Sequence, residues 1–206
     1  MSTPRYTYTT VNGVDVLTRE EWHLNGEYHR IDGPANRQWE VVGGRTVLTV
    51  EEWYLDGIRH RTDGPAYQEW EVVNGQVFLT QDEWYLNGQL HRPNEPAYRA
   101  WDVVGGHGNE KTVLVYEVWQ LNGQRHRIDG PAWRAWEVVD GSDWLSEEEW
   151  YMKGVKIHPR ILRQPVRAIE RWWLFQQRQR QEAIEVSLWD NGMTVFPGFM
   201  GLLREY

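Results

Sequence analysis

The chain contains no cysteine. Disulfides, thiolate nucleophiles and thiolate-held metals are therefore excluded, and the redox compartment is left open. It also lacks a run of about eighteen apolar residues, the minimum for a membrane-spanning helix. Its first ten residues, MSTPRYTYTT, have no apolar core of a secretory signal. Positive charge is in deficit, since 22 basic against 30 acidic side chains leave a formal net charge of −8. Such a surface repels a phosphate backbone and argues against nucleic-acid binding. Missing too are a phosphate-cradling glycine loop, a nucleophile elbow and an H-E-x-x-H pair, so no motif supports an enzyme.

What the chain has in excess is tryptophan, 14 residues, beside 19 glycines. Trp22, Trp53, Trp84, Trp119 and Trp150 recur at intervals of 31, 31, 35 and 31 residues, and Trp39, Trp70, Trp101 and Trp136 follow at 31, 31 and 35. Nine of the fourteen therefore occupy two repeating positions, and the extra four residues fall in one insertion around Gly105 to Lys111. Such self-similarity marks a repeat architecture. About four full units and a partial fifth fill residues 1–154.

Each unit carries its own punctuation. Asn25-Gly26, Asp56-Gly57, Asn87-Gly88 and Asn122-Gly123 predict type I′ hairpin turns. Gly43-Gly44, Asn74-Gly75, Gly105-Gly106 and Asp140-Gly141 predict a second hairpin after each W-[ED]-V-V segment. Between the two lies D-G-P-A, where glycine is expected to take an unusual dihedral and proline to stop pairing. The third unit has Pro93-Asn94-Glu95-Pro96-Ala97 instead, which predicts a differently shaped turn. Thr18-x-x-Glu21, Thr49-x-x-Glu52, Thr80-x-x-Glu83 and Ser146-x-x-Glu149 fit a capping box, so a single helical turn or a bulge is expected before each W-x-L strand. Alternation with period two places the tryptophans with Leu24, Val41 and their copies on one face. The opposite face then carries Tyr54, Tyr85, Tyr151 and acids such as Glu71.

After Gly154 the composition changes. Residues 155–206 hold 8 basic and 5 acidic side chains, a net of +3, against −11 for residues 1–154. The stretch from Val166 to Ala183, preceded by Pro165 and containing Trp172 and Trp173, predicts an α-helix, and Asn191-Gly192 a last hairpin. Open-ended repeats need a terminal element over the last apolar face, so 155–206 is expected to be a helix-and-hairpin cap. A basic amphipathic helix that docks on an acidic partner or an anionic membrane surface is the competing reading.

The string W-x-x-[ND]-G-x-x-H-R-x-D-G-P-A resembles MORN-type repeats. It resembles more nearly still a variant with H-R-x-D-G-P-A seen in uncharacterised proteins of giant DNA viruses and some phages. His29, His60, His91 and His126 carry the histidine, and Gly33, Gly64 and Gly130 the second glycine. The resemblance covers about residues 20–154. It implies an all-β, elongated row of antiparallel hairpins that serves as a scaffold for a protein partner or self-association. It further implies a viral structural or host-interacting protein of the host cytoplasm or virion. Four copies of one histidine do not make an asymmetric catalytic centre, and one His with one Asp per unit falls short of the four ligands zinc takes. No metal and no cofactor are expected. Each histidine should bond turn backbone or its own aspartate, and each following arginine should lie on a tryptophan. The interaction face is expected at Tyr54, Tyr85 and Tyr151 with Glu71, at the off-pattern Trp133 and Trp144, and at Trp172. Those same aromatics make choline or carbohydrate recognition the alternative.

Overall fold

The computed structural model describes residues 2–106 and 108–158. The chain forms two compact units, Met1–Ile157 and His158–Tyr206. The expected C-terminal helix and hairpin, with Trp172 and Trp173, lie outside the described residues.

All regular structure in the described residues is β. The first long hairpin is β1 (Thr3–Val11) with β2 (Val14–Leu24), and β3 (Glu27–Tyr28) folds back on β2. The second joins β4 (Asn36–Val42) to β5 (Arg45–Glu52) and is followed by the short pair β6 (Tyr54–Leu55) and β7 (Ile58–Arg59). The same plan gives β8 (Tyr67–Val73), β9 (Gln76–Glu83), β10 (Tyr85–Leu86) and β11 (Gln89–Leu90). It gives β12 (Tyr98–Val104), β13 (Lys111–Val118), β14 (Gln120–Leu121) and β15 (Gln124–Arg125) once more. The unit closes with β16 (Trp133–Val139), β17 (Ser142–Met152) and β18 (Val155–Ile157). The long hairpins join in chain order into one antiparallel sheet of twelve strands, and three short pairs stand off it.

The turns follow from residue type. Asn25, Asp56, Asn87 and Asn122 sit at φ between 48° and 53°, each followed by a glycine with positive φ, as a type I′ turn demands. Lys153 takes the same conformation at φ 47° before Gly154, so the fifth unit still makes its short hairpin. The pair Gly105-Gly106 does not close a two-residue turn. Only Gly105 has positive φ, and the loop runs to Lys111 because the insertion sits there.

Neighbouring long hairpins touch through three residue pairs, for example Val50, Glu51 and Glu52 against Glu69, Gln68 and Tyr67. Alanine of D-G-P-A completes each joint. The Trp22 amide donates to the Ala35 carbonyl at 2.7 Å, and the Ala35 amide donates to Glu52 at 2.8 Å. Ala35, Ala66, Ala97 and Ala132 are wholly buried there, where a larger side chain has no room. The short hairpins form a second ladder, held by bonds such as Gly57 N to Tyr28 O and Gly88 N to Arg59 O, both 2.9 Å.

One expectation is narrowed and two are corrected. The T-x-x-E segments, expected to form a helical turn or a bulge, form β-bulges with Thr18, Thr49, Thr80 and Ser146 as the extra residue, and Val115 takes that place in the fourth unit. Four of the five use their hydroxyl to bond the facing strand, Thr49 to the Gln38 carbonyl at 3.3 Å and Ser146 to Ala135 at 3.0 Å. A bulge keeps a side chain and its facing partner on one side of the pleat after a residue is added. Trp39 thereby faces Leu48 on the side that holds Arg37 and Glu51. The D-G-P-A glycines do not take positive φ. A Cβ on Gly64 would stand 2.6 Å from the Arg61 guanidinium carbon, so glycine is there to leave space. The third unit, finally, keeps the common turn, since Arg92, Ala97 and Trp84 make the same backbone bonds as their counterparts. Glu95 stands in the glycine slot while Arg92 still covers Trp84, and there the arginine pairs with the Glu95 carboxylate instead of with an aspartate two residues on, since position 94 is asparagine.

Candidate binding surfaces

On the tryptophan side one assembly recurs. Arg30 lies over Trp22 at 4.3 Å, Arg61 over Trp53 at 3.9 Å, Arg92 over Trp84 at 3.9 Å and Arg127 over Trp119 at 3.8 Å. This is the arginine–tryptophan contact expected from the sequence. Arg61 also donates to Asp63 at 2.9 Å and to the Pro65 carbonyl at 3.2 Å. The bonds from arginine hold the Asp32, Asp63 and Asp129 carboxyls below the usual aspartate range. The indole N–H is used as well: Trp22 donates to Glu20 at 2.9 Å and Trp53 to Glu51 at 3.0 Å. In the third unit the acid is one carbon shorter. Asp82 binds Arg99 through both oxygens, and the buried Trp84 indole nitrogen has no partner.

The histidines act between repeats. Nδ1 of His29 accepts the amide of Asp56, His60 that of Asn87, His91 that of Asn122 and His126 that of Lys153, at 3.0–3.2 Å. Each therefore bonds turn backbone, as expected, but in the following unit. Burial first, and then the Lys153 charge, push the His126 pKa down. Among the described residues no three His, Asp or Glu side chains converge to hold a metal.

The opposite side gathers tyrosine, arginine and glutamate. Arg59 is ringed by Tyr67, Tyr85 and Tyr54 at 4.5, 5.6 and 5.8 Å from their ring centres. It donates to Glu52 at 2.5 Å, to Tyr54 at 3.0 Å and to Glu83 at 3.2 Å. Although burial alone would lower its pKa, the bonds to Glu52 and Tyr54 raise it. Burial and the neighbouring Glu83 push the Tyr85 hydroxyl up to about 12. Tyr28 takes the corresponding place in the first unit, stacked on His23 and Tyr54. Burial and its 2.5 Å bond to Glu21 move it up to about 12. In the third unit Leu90 fills that place, and in the fourth Arg125, which reaches Glu149 at 2.9 Å. This variable position organises the whole stripe and was not among the residues singled out, because its residue type changes from copy to copy.

Among the anticipated interaction residues, Tyr54 and Tyr85 therefore form one cluster around Arg59. Tyr151 lies two repeats further along, bonded to Glu149 at 2.9 Å. Trp133 fills the slot of Tyr67 and Tyr98, half-buried, with its indole N–H on the Tyr116 hydroxyl. Glu71 is exposed in mid-strand opposite Phe78. Trp144 stands apart from the tyrosines near the β16–β17 turn, opposite Glu137 and 65% exposed. On the tryptophan side, two open grooves of about 340 and 300 Å³ lie between consecutive D-G-P-A turns, the larger floored by Trp53 and Leu55 below exposed Ile31. Comparison of the chain with protein-family models, curated proteins and solved structures finds no match.

Proposed function

We propose that this chain is a non-enzymatic MORN-like scaffold that works by protein–protein contact, as a viral structural or host-interacting component. One observation supports this reading above the alternatives: the positions where an aromatic stripe would take a ligand cation are filled by the chain's own arginines. Arg59 occupies the ring of Tyr54, Tyr67 and Tyr85, and Arg30, Arg61, Arg92 and Arg127 cover the regular tryptophans. A choline-like headgroup would have to displace a guanidinium already bonded to carboxylates, at the cost of leaving those carboxylates half-buried and unpaired. The accessible features are then broad faces, exposed side chains such as Glu71 and Trp144, and the edges of the sheet, which suit a protein partner.

The test is quantitative affinity capture with the full chain from cells that produce it, set against Glu71→Lys and Trp144→Ala. Both positions are exposed, so the fold should stand while capture of a specific partner falls. The reading is lost if the two variants capture the same proteins in the same amounts while choline or a sugar gives a saturable tryptophan-fluorescence change. No helix among the described residues is long and apolar enough to cross a membrane. Flotation of the intact chain with anionic vesicles would speak for peripheral attachment instead.

A further inference from the structure

Among the described residues, β1 forms one edge of the sheet. β1 pairs only with β2 among the described residues, and eight of its nine residues are exposed. Tyr6 and Tyr8 are 48% and 57% exposed. The strand, Thr-Pro-Arg-Tyr-Thr-Tyr-Thr-Thr-Val, is rich in residues that favour β structure and carries few of the charges that guard natural edges.

The backbone groups that face outward follow from the ladder. The Trp22 amide points away from β1, to Ala35, and its carbonyl accepts from His29. Its β1 partner Pro4 therefore turns its carbonyl outward, and alternation does the same for both backbone groups of Tyr6, Tyr8 and Thr10. Because the bulge lies on β2, this alternation runs unbroken along β1. Outward groups at positions 4, 6, 8 and 10 are symmetric about Thr7. Laid antiparallel on itself around that residue, the strand sets Tyr6 against Tyr8 of the second copy, where each pair exchanges two hydrogen bonds. Thr10 meets Pro4, where the threonine amide donates to the proline carbonyl and the return bond is missing, so the pairing makes one bond instead of two at each end.

Charge does not oppose this pairing. β1 has one arginine and no acid, within a repeat region of strongly negative net charge. In the antiparallel arrangement Arg5 faces Thr9 of the other copy. The two arginines then stand about 14 Å apart along the strands, four residues at the β rise, which exceeds the screening length of about 8 Å at physiological salt. At the far side of the sheet, β17 exposes Asp143, Glu147 and Glu148, and two such edges would repel.

We infer that β1 pairs with β1 of a second copy, joining two sheets edge to edge across a twofold axis at Thr7. This rests on the scaffold reading and specifies one of its contacts. The test is sedimentation velocity of the full chain across the micromolar range, combined with amide hydrogen exchange at both ends of that range. A reversible dimer is expected. In the dilute monomer the amides of Tyr6, Tyr8 and Thr10 exchange freely, and they alone gain protection as the dimer forms. Tyr8→Pro removes an outward amide that β2 does not use, so it should abolish the dimer without changing thermal unfolding. Thr9→Glu places a carboxylate opposite Arg5 and should tighten the dimer several-fold at low salt, an effect that added salt removes. A chain that stays monomeric, a mass that grows beyond two copies, or a dimer in which those three amides stay unprotected each overturns the inference. Capture of a partner through Glu71 and Trp144 is scored separately and survives any of these outcomes.

Discussion

Replacing Arg61 by alanine removes one whole pin from the tryptophan side. The guanidinium lies 3.9 Å from the centre of Trp53, a contact worth about 1 kcal/mol at a partly buried site. Its bond to the Pro65 carbonyl at 3.2 Å adds about 1 kcal/mol net. Its aliphatic stem packs on the indole and adds roughly 0.5 kcal/mol. Asp63 is exposed and adds little. Arg61→Ala should therefore cost about 2–3 kcal/mol, which for a unit of this length lowers the melting midpoint by roughly 6–9 °C. Asp63→Asn should leave the midpoint where it is. Gly64→Ala sharpens the test, because the three atoms nearest the added Cβ all belong to the Arg61 guanidinium. It should destabilise the native chain and be nearly harmless once Arg61 is alanine, a non-additivity visible in a double-mutant cycle. The assay is thermal unfolding of the full chain, followed by tryptophan fluorescence and circular dichroism together. An Arg61→Ala midpoint within 1 °C of the native one, or a Gly64→Ala cost that is the same in both backgrounds, would refute the idea that glycine is present to seat the arginine.

Two further outcomes are expected. Trp53→Phe loses an indole bond to Glu51 whereas Trp84→Phe removes a buried donor that has no partner, so the first should cost about 1 kcal/mol more than the second in urea unfolding. His126 has its folded pKa below the ordinary histidine value, so as pH falls the unfolded chain takes up the proton first. Its contribution to stability is therefore complete above about pH 6.5 and is lost as pH falls from there towards the folded value. Lys153→Asp should raise that folded pKa and flatten the loss. Ring-proton titration by NMR reads the first effect, and a pKa unmoved by the substitution would exclude Lys153 as a cause.

The elements whose physics is local were legible in the chain. Asn-Gly and Asp-Gly dipeptides specify their turn through two backbone dihedrals, and the tryptophan spacing reports the repeat directly. The arginine–tryptophan contact was legible too, because both residues belong to one unit. Four things were not. A threonine three residues before a glutamate fits a helix cap and a bulge equally well, and only the facing strand decides between them. A glycine looks the same whether it is chosen for its dihedral or for the space it leaves, and Gly64 is of the second kind. The histidine partner lies 27 residues ahead for His29 and 31 for His91, so no local pattern announces it. The edge strand β1 lacks the regular tryptophans altogether. Tyr8 pairs with Leu17 where Trp39 pairs with Leu48, so the strand belongs to the array by register while its sequence conceals it.

That histidine bond also defines what a unit of this protein is. His60 belongs to one copy by sequence and serves the next by contact, as do the Arg59 carbonyl that receives Gly88 and the Glu83 carboxylate that receives Arg59. The seams thus fall inside the sequence motif rather than at its ends. Cutting out residues 53–83 would splice Glu52 to Trp84 and present the severed backbone and histidine bonds with equivalent partners, while the Arg59 cluster and the Asn74–Glu110 bond, which belong to single copies, would be lost. An array built in this way can lengthen or shorten by whole periods without composing a new core, so its reach can be altered by recombination alone.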